Sequence, residues 1–255
     1  MTMTIKNEEE IRRMDEAGQV VALIHARIQA AISPGVSTAE LDTIARDTLE
    51  ESGAVSSFLG YHGFPAHICA SVNEEIVHGI PGNRRLRDGD IISVDVGAIL
   101  AGYHGDSAWT YAVGQISADA AALMRDTEEA LYLAVDAAVS GNRLGAIGHA
   151  VESHARRMGR GVVRNYGGHG IGRQMHEDPH VPNVGRPDRG VALRPGLTLA
   201  IEPMLTLGSE DTATLADGWT VVTADGSLAA HFEHTVAVEA DGSRVLTRRL
   251  APVLE

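Results

Sequence analysis

IISVDVGAILAGYHGDS, residues 91–107, is the stretch from which the chain is best read. Its β-branched and apolar residues predict a strand over 90–97. A glycine-containing turn follows, and residues 109–113 return as the second arm of a hairpin. Asp95 stands in the middle of the apolar run, and Asp106 follows eleven positions later. A carboxylate inside such a strand is costly unless a cation or a hydrogen-bond network compensates it. Two on one hairpin, facing one interior, repel each other unless positive charge lies between them. Asp95 and Asp106 are therefore read as half of a metal site. By themselves two strand acids are more often turn caps or arginine partners, so the other half must come from elsewhere in the chain.

Three later segments offer it. NYGGHGIGRQMH (165–176) places His169 among glycines 167, 168, 170 and 172, which free the backbone and leave the imidazole uncrowded. LAIEP (199–203) ends an apolar strand on Glu202, with Pro203 stopping further pairing. HFEHT (231–235) carries Glu233 into a strand continued by Val236, Ala237 and Val238. Four carboxylates and one imidazole form a hard, oxygen-rich donor set suited to manganese, iron, cobalt or labile zinc. More than one carboxylate per ion suggests a bridged pair about 3.5–4 Å apart, able to present hydroxide near neutral pH.

Two competing motifs fail. His176-Glu177-Asp178-Pro179-His180 matches H-E-x-x-H, but that motif needs a helix. Pro179 inside the would-be turn, and Asp178 before it, oppose one. The glycine-rich run 167–172 lacks the Gly-Lys-Ser/Thr of a phosphate loop and the context of a dinucleotide fingerprint.

The 255 residues are 44% hydrophobic with a formal charge of −13. A substantial core is expected, and long disorder is not. Arginine pairs at 12–13, 84–85, 156–157 and 248–249 are dispersed, which argues against a nucleic-acid or anionic-membrane surface. The single cysteine, Cys69, excludes an internal disulfide and suits a reducing compartment. The acidic start lacks a signal peptide's apolar core, and no apolar run approaches the roughly 20 residues of a membrane span. A cytoplasmic protein is expected.

Asn7 before Glu8, Glu9 and Glu10 starts a first helix, and the Ser33-Pro34-Gly35 turn ends it. Ser37 with Glu40 forms a capping box for a second, with Leu41, Ile44 and Leu49 on its apolar face and Gly53 past its end. Strands follow at 66–72 and 90–97. Ser117 opens a third helix, stopped by Gly141, and a fourth covers 144–158 with Ile147, Val151 and Met158 on one face. Strands return near 161–165, 197–202 and 229–238. Residues 182–196, with three prolines and three glycines, read as a long functional loop. Two helices then strands, twice, predicts an α+β fold of pseudo-two-fold symmetry, a mixed or antiparallel sheet covered by two helix pairs. Residues 1–6 are expected to be a flexible tail and 7–255 a single domain.

Asp95, Asp106, His169, Glu202 and Glu233, in this order and in the segments DVGAILAGYHGD, GGHGIG, AIEP and FEHT, resemble the type I methionine aminopeptidases in their short bacterial form. The resemblance runs over nearly the whole chain and implies the curved pita-bread fold. It implies two divalent ions. Asp95 would chelate one, Asp106 and Glu233 would bridge both, and His169 and Glu202 would complete the other. Glu202 would also act as acid/base for a metal-bridging hydroxide. His78 in NEEIVHGIP would contact the scissile amide, and His176 the peptide carbonyl oxygen. A methionine pocket would be lined by Phe58, Tyr61, Phe64, Cys69, Trp219 and His78. Met175 stands where many relatives have an aromatic residue, and Phe58 where some have cysteine. The implied substrate is the N-terminal methionine of nascent chains with a small second residue. A monomer is expected, and work on nascent chains makes ribosome contact plausible although no motif shows it. Proline-directed relatives are the enzymatic alternative, but they usually carry an extra N-terminal domain for which Asp95 comes too early. A metal-free binding protein of the same fold is the other, but it should lack ligands that this chain keeps.

Overall fold

A computed structural model of the chain describes residues 3–249. Residues 1–2 of the expected tail and 250–255 of the expected domain lie outside the described residues. The four helices form where the caps and apolar spacing place them. Helix α1 (Glu8–Ala31) starts at Asn7, whose side chain accepts from the Glu10 amide while the Glu10 carboxylate accepts from the Asn7 amide, each at 3.0 Å. Helix α2 (Thr38–Glu51) repeats the box with Ser37 and Glu40. Helix α3 (Ala118–Ala137) is capped by Ser117, and α4 (Gly145–Arg157) follows it. Each side-chain cap is worth about 1 kcal/mol. Met158 differs from expectation: it lies just past the last turn of α4, and a third of it is exposed.

Every strand pairing among the described residues is antiparallel, so the mixed alternative is set aside. The strands form ladders of four, three, three and five, with α1 along the first-half hairpin and α3 and α4 against second-half strands. One apolar cluster joins Ile24, Leu41 and Trp109 of the first half to Leu131, Val151 and Leu199 of the second. No helix among the described residues is long and apolar enough to cross a membrane.

The hairpin is longer than its composition suggests. Its arms are Ile91–Leu100 and Tyr103–Ala112, joined by Ala101 and Gly102 at φ 50° and 78°. Two positive-φ residues give the two-residue turn whose twist suits a hairpin. The polar run His104 to Ser107 reads as turn in sequence, yet it is strand and buried. In register, Asp95 faces Ala108 and Asp106 faces Gly97, so both acids project from one face beside small residues.

The predicted strand over 229–238 breaks at Phe232 and Glu233 into Ala229–His231 and His234–Glu239. The break brings it against the hairpin through side-chain hydroxyls. Thr235 Oγ1 donates to the Asp106 carbonyl at 2.8 Å and accepts from the Asp106 amide at 3.0 Å. Thr110 Oγ1 does the same with His231, at 2.9 and 3.0 Å. The Glu233 amide donates to the Ala108 carbonyl, and Ser107 Oγ to the Glu233 carbonyl. This seam fixes Asp106 and Glu233 relative to each other. Thr235→Val keeps the shape but strands the buried Asp106 amide, so urea denaturation is expected to show a loss of about 1–3 kcal/mol.

Where the expected tail is described, it is engaged. The Lys6 amide donates to the Gly196 carbonyl at 2.8 Å, and its side chain is buried against Glu177.

Candidate metal centre and substrate cavity

The two acids of the hairpin meet three side chains of the second half. Glu202 follows the strand Thr198–Ile201, Glu233 sits at the strand break, and His169 belongs to the strand Gly167–Gly170. The glycines around His169 serve a different purpose from the one expected. Their φ values are not in the left-handed region, and His169 is on a strand rather than a flexible loop. They allow close approach: a Cβ on Gly168 would lie 2.1 Å from the Ala200 oxygen, and one on Gly170 would lie 2.3 Å from the Asp178 oxygen.

His169 Nδ1 donates to the Gly170 carbonyl at 2.9 Å, which leaves Nε2 as a free lone pair. That atom faces Asp106 Oδ2 at 3.7 Å and Glu202 Oε1 at 3.9 Å. Ligand atoms of Asp106, His169 and Glu233 all lie within 4.8 Å of one another. Asp95 Oδ1, Asp106 Oδ1 and Glu233 Oε1 are buried without a hydrogen-bond partner.

The electrostatics describe a site that wants cations. Burial pushes Asp95 up to about 7. It pushes Glu202 up to about 8, with the Asp95 charge adding to it. Asp106 and Glu233 are raised well above the ordinary carboxylate range by burial and by the neighbouring acids. His169 is lowered to about 3, first by burial and then by His176. A neutral imidazole and orphaned carboxylate oxygens are the protonation and geometry that a divalent ion requires. The residues present therefore fit a metal.

All twelve residues singled out from sequence line one cavity of about 290 Å³. Beside the acids and His169 its wall is apolar: Phe58, Phe64, Cys69 and Met175 form one buried cluster with Tyr61 and Trp219 against it. Phe64 meets Trp219 edge to face at 5.1 Å. Cys69 pairs in register with Asp95, and burial with that acid keeps its thiol protonated. His78 lies at φ 61°, a strained position for a non-glycine residue of the kind found at functional sites. His176 Nδ1 is 2.7 Å from the Tyr61 hydroxyl, and its ring stacks on Tyr61 and lies 4.1 Å from His169. The H-E-x-x-H match is not a helix, since Glu177–Pro182 is a strand.

His62 and His231 escaped the sequence reading. His62 lines the same cavity. His231 is buried with an unpartnered Nε2, 3.6 Å from Glu202 Oε2 and 3.9 Å from Glu233 Oε2. Its separation of two from Glu233, the same-face spacing of a strand, was the available signal.

The model of metallopeptidase family M24 matches residues 12–240. The chain belongs to this family. This M24 chain is 54% identical over 243 residues to methionine aminopeptidase 1 of Bacillus subtilis, covering 95% of itself and 98% of that relative. It is 54% identical over 245 residues to methionine aminopeptidase 1 of Mycobacterium tuberculosis, covering 93% and 92%. The solved structure of the methionine aminopeptidase of Thermotoga maritima superposes with a TM-score of 0.96 at 41% identity, covering 97% of the M24 chain and 100% of that one. The pita-bread architecture expected from sequence is thus the observed one.

Proposed function

We propose that this chain is a methionine aminopeptidase using two divalent ions. It would remove the N-terminal methionine from nascent proteins and peptides whose second residue is small. The observation that carries the reading is the placement of orphaned carboxylate oxygens and the free His169 Nε2 on the wall of an apolar cavity. The 54% identity to named methionine aminopeptidases supports it.

In this reading Asp95, Asp106, His169, Glu202 and Glu233 would together hold the ions. Their hard donors suit cobalt, manganese, iron or zinc. The bound ions supply Lewis acidity and lower the pKa of water toward neutrality. Phe58, Phe64, Cys69, Met175 and Trp219 surround a thioether side chain and exclude water from it. Glu202 takes the proton of the attacking water and passes it to the leaving amine. His78 holds the scissile amide. Tyr61 Oη lies 2.7 Å from His176 Nδ1, and in this reading the hydroxyl donates there, leaving Nε2–H to donate to the peptide oxygen as charge develops. Tyr61→Phe removes that bond and is expected to lower kcat about tenfold, in line with roughly 1–1.5 kcal/mol, with KM little changed in steady-state assays.

The deciding assay is release of methionine from Met-Ala-Ser against Met-Lys-Ser, with and without cobalt or manganese. Metal-dependent cleavage of the first peptide alone is expected. No cleavage would sink the proposal, and a preference for Xaa-Pro substrates would favour the proline-directed alternative. The reading also places the enzyme in the cytoplasm, as a monomer working on nascent chains near the ribosome. The single buried thiol, Cys69, suits a reducing compartment.

A further inference from the structure

Glu177 follows His176 directly, inside the H-E-x-x-H match that the fold does not use as a helix. It is absent from the wall of the metal cavity. Its carboxylate instead meets the N-terminal segment, 171 positions away. Lys6 Nζ lies 2.6 Å from Glu177 Oε2, with the two side chains only 5% and 8% exposed. Thr4 Oγ1 donates to the same oxygen. Glu177 Oε1 accepts from the Gln174 amide at 3.3 Å, and the Gly172 amide donates to the Gln174 carbonyl at 3.1 Å. The Glu177 carboxylate therefore ties the turn that carries Met175 and His176, together with the His104 amide on the Gly172 carbonyl, and that carboxylate is held by Lys6 and Thr4.

The chain is shaped around this lysine. A Cβ on Gly172 would lie 2.4 Å from Lys6 Cε, and one on Gly196 would lie 2.5 Å from the Lys6 carbonyl. The surroundings are otherwise balanced in charge. Glu10 accepts from the Tyr103 hydroxyl at 2.8 Å, and Arg173 lies over the Tyr103 ring at 4.4 Å. A buried ion pair is weak evidence for stability, and its better-attested use is to specify one arrangement. What this pair specifies is the path of residues 172–177. The His176 ring itself is held by the Tyr61 hydroxyl and ring and by the His169 ring.

We propose that Lys6 and Glu177 are positioning residues for His176. The N-terminal segment is a strap that sets the turn at 172–177 so that the imidazole meets the substrate carbonyl oxygen. The inference rests on the role given to His176 above.

The test is a double-mutant cycle on the full, manganese-loaded chain with Met-Ala-Ser, using Lys6→Met, His176→Ala and the double variant. Lys6→Met is expected to lower kcat about tenfold with KM nearly unchanged, and to leave manganese affinity at the wild-type value. In the His176→Ala background the same change should have almost no further effect, because residues that act through one another are not additive. Lys6→Arg keeps the charge and should restore most of the activity. Glu177→Gln, which keeps an acceptor for the Gln174 amide, should lower kcat in the same direction but less. It reads the strap independently if Lys6→Met folds poorly. Wild-type kcat in both Lys6→Met and Glu177→Gln would overturn the proposal. So would losses that multiply in the double variant. A fully active His176→Ala would remove the role of His176 and the strap with it. An inactive wild type would instead overturn the aminopeptidase reading itself.

Discussion

Glutamine in place of Glu202 brings methionine release from Met-Ala-Ser down by about 10²–10⁴-fold, the range in which a positioned proton carrier contributes. The side chain keeps its size, and Glu202 is one of four acids that burial and mutual repulsion leave reluctant to ionise. Removing one of them relieves repulsion in the metal-free protein, so the fold should stand and could gain a little stability. Steady-state kinetics on manganese-loaded protein, with a thermal melt as the control for folding, checks both halves of this statement. Wild-type turnover in the variant would refute the assignment of Glu202.

Stripping the divalent ions gives the second large effect, and it depends on pH. In the metal-free protein Asp95 is pushed up to about 7 and Glu202 to about 8, while Asp106 and Glu233 are raised well above the ordinary carboxylate range by burial and neighbouring acids. In the unfolded chain all four titrate near pH 4. Below about pH 6.5 the buried His25, His104, His169, His231 and His234 oppose the acids' extra protons, since burial lowers them to about 3 or 4, so the folded state holds more protons than the unfolded one between about pH 7 and pH 8. Stability then falls as pH rises through that window. A loss of 1 kcal/mol moves the midpoint by about 2–4 °C in a domain of this size, so a drop of several degrees between about pH 7 and pH 8 is expected. Saturating manganese should abolish the drop, because a cation restores the preference for the ionised forms. Its uptake near neutral pH must also release protons, and calorimetry in buffers of different ionisation heat would count them. A metal-free melting temperature that rises with pH across this window would contradict the electrostatic account.

The fold was legible where local signals are strong. Asn7 with Glu10 and Ser37 with Glu40 marked helix starts because a cap satisfies orphan amides within four residues. Asp95 was legible because a lone acid in an apolar strand is conspicuous. The turn before Asp106 is legible, but the second arm reads only from Trp109 because His104, Gly105 and Ser107 break the apolar pattern, and their burial depends on the second half of the chain covering them. The glycines about His169 pointed to special backbone freedom, but the need they meet is the closeness of Ala200 and Asp178, which only the folded sheet reveals. The Thr110 and Thr235 bridges and the Lys6–Glu177 contact join residues more than 120 positions apart, and no periodicity reports such pairs. The broken strand at Phe232 and Glu233 belongs to the same class, since the hairpin it meets decides where it bends.

The claim on which the rest depends is that Asp95, Asp106, His169, Glu202 and Glu233 together hold two divalent ions. Anomalous X-ray diffraction from crystals grown with manganese tests it most directly. Two anomalous peaks inside this ligand set, with His169 Nε2 on one of them and Asp106 and Glu233 touching both, are the predicted result. The absence of any peak among these five side chains, or metal bound only elsewhere on the molecule, would contradict it.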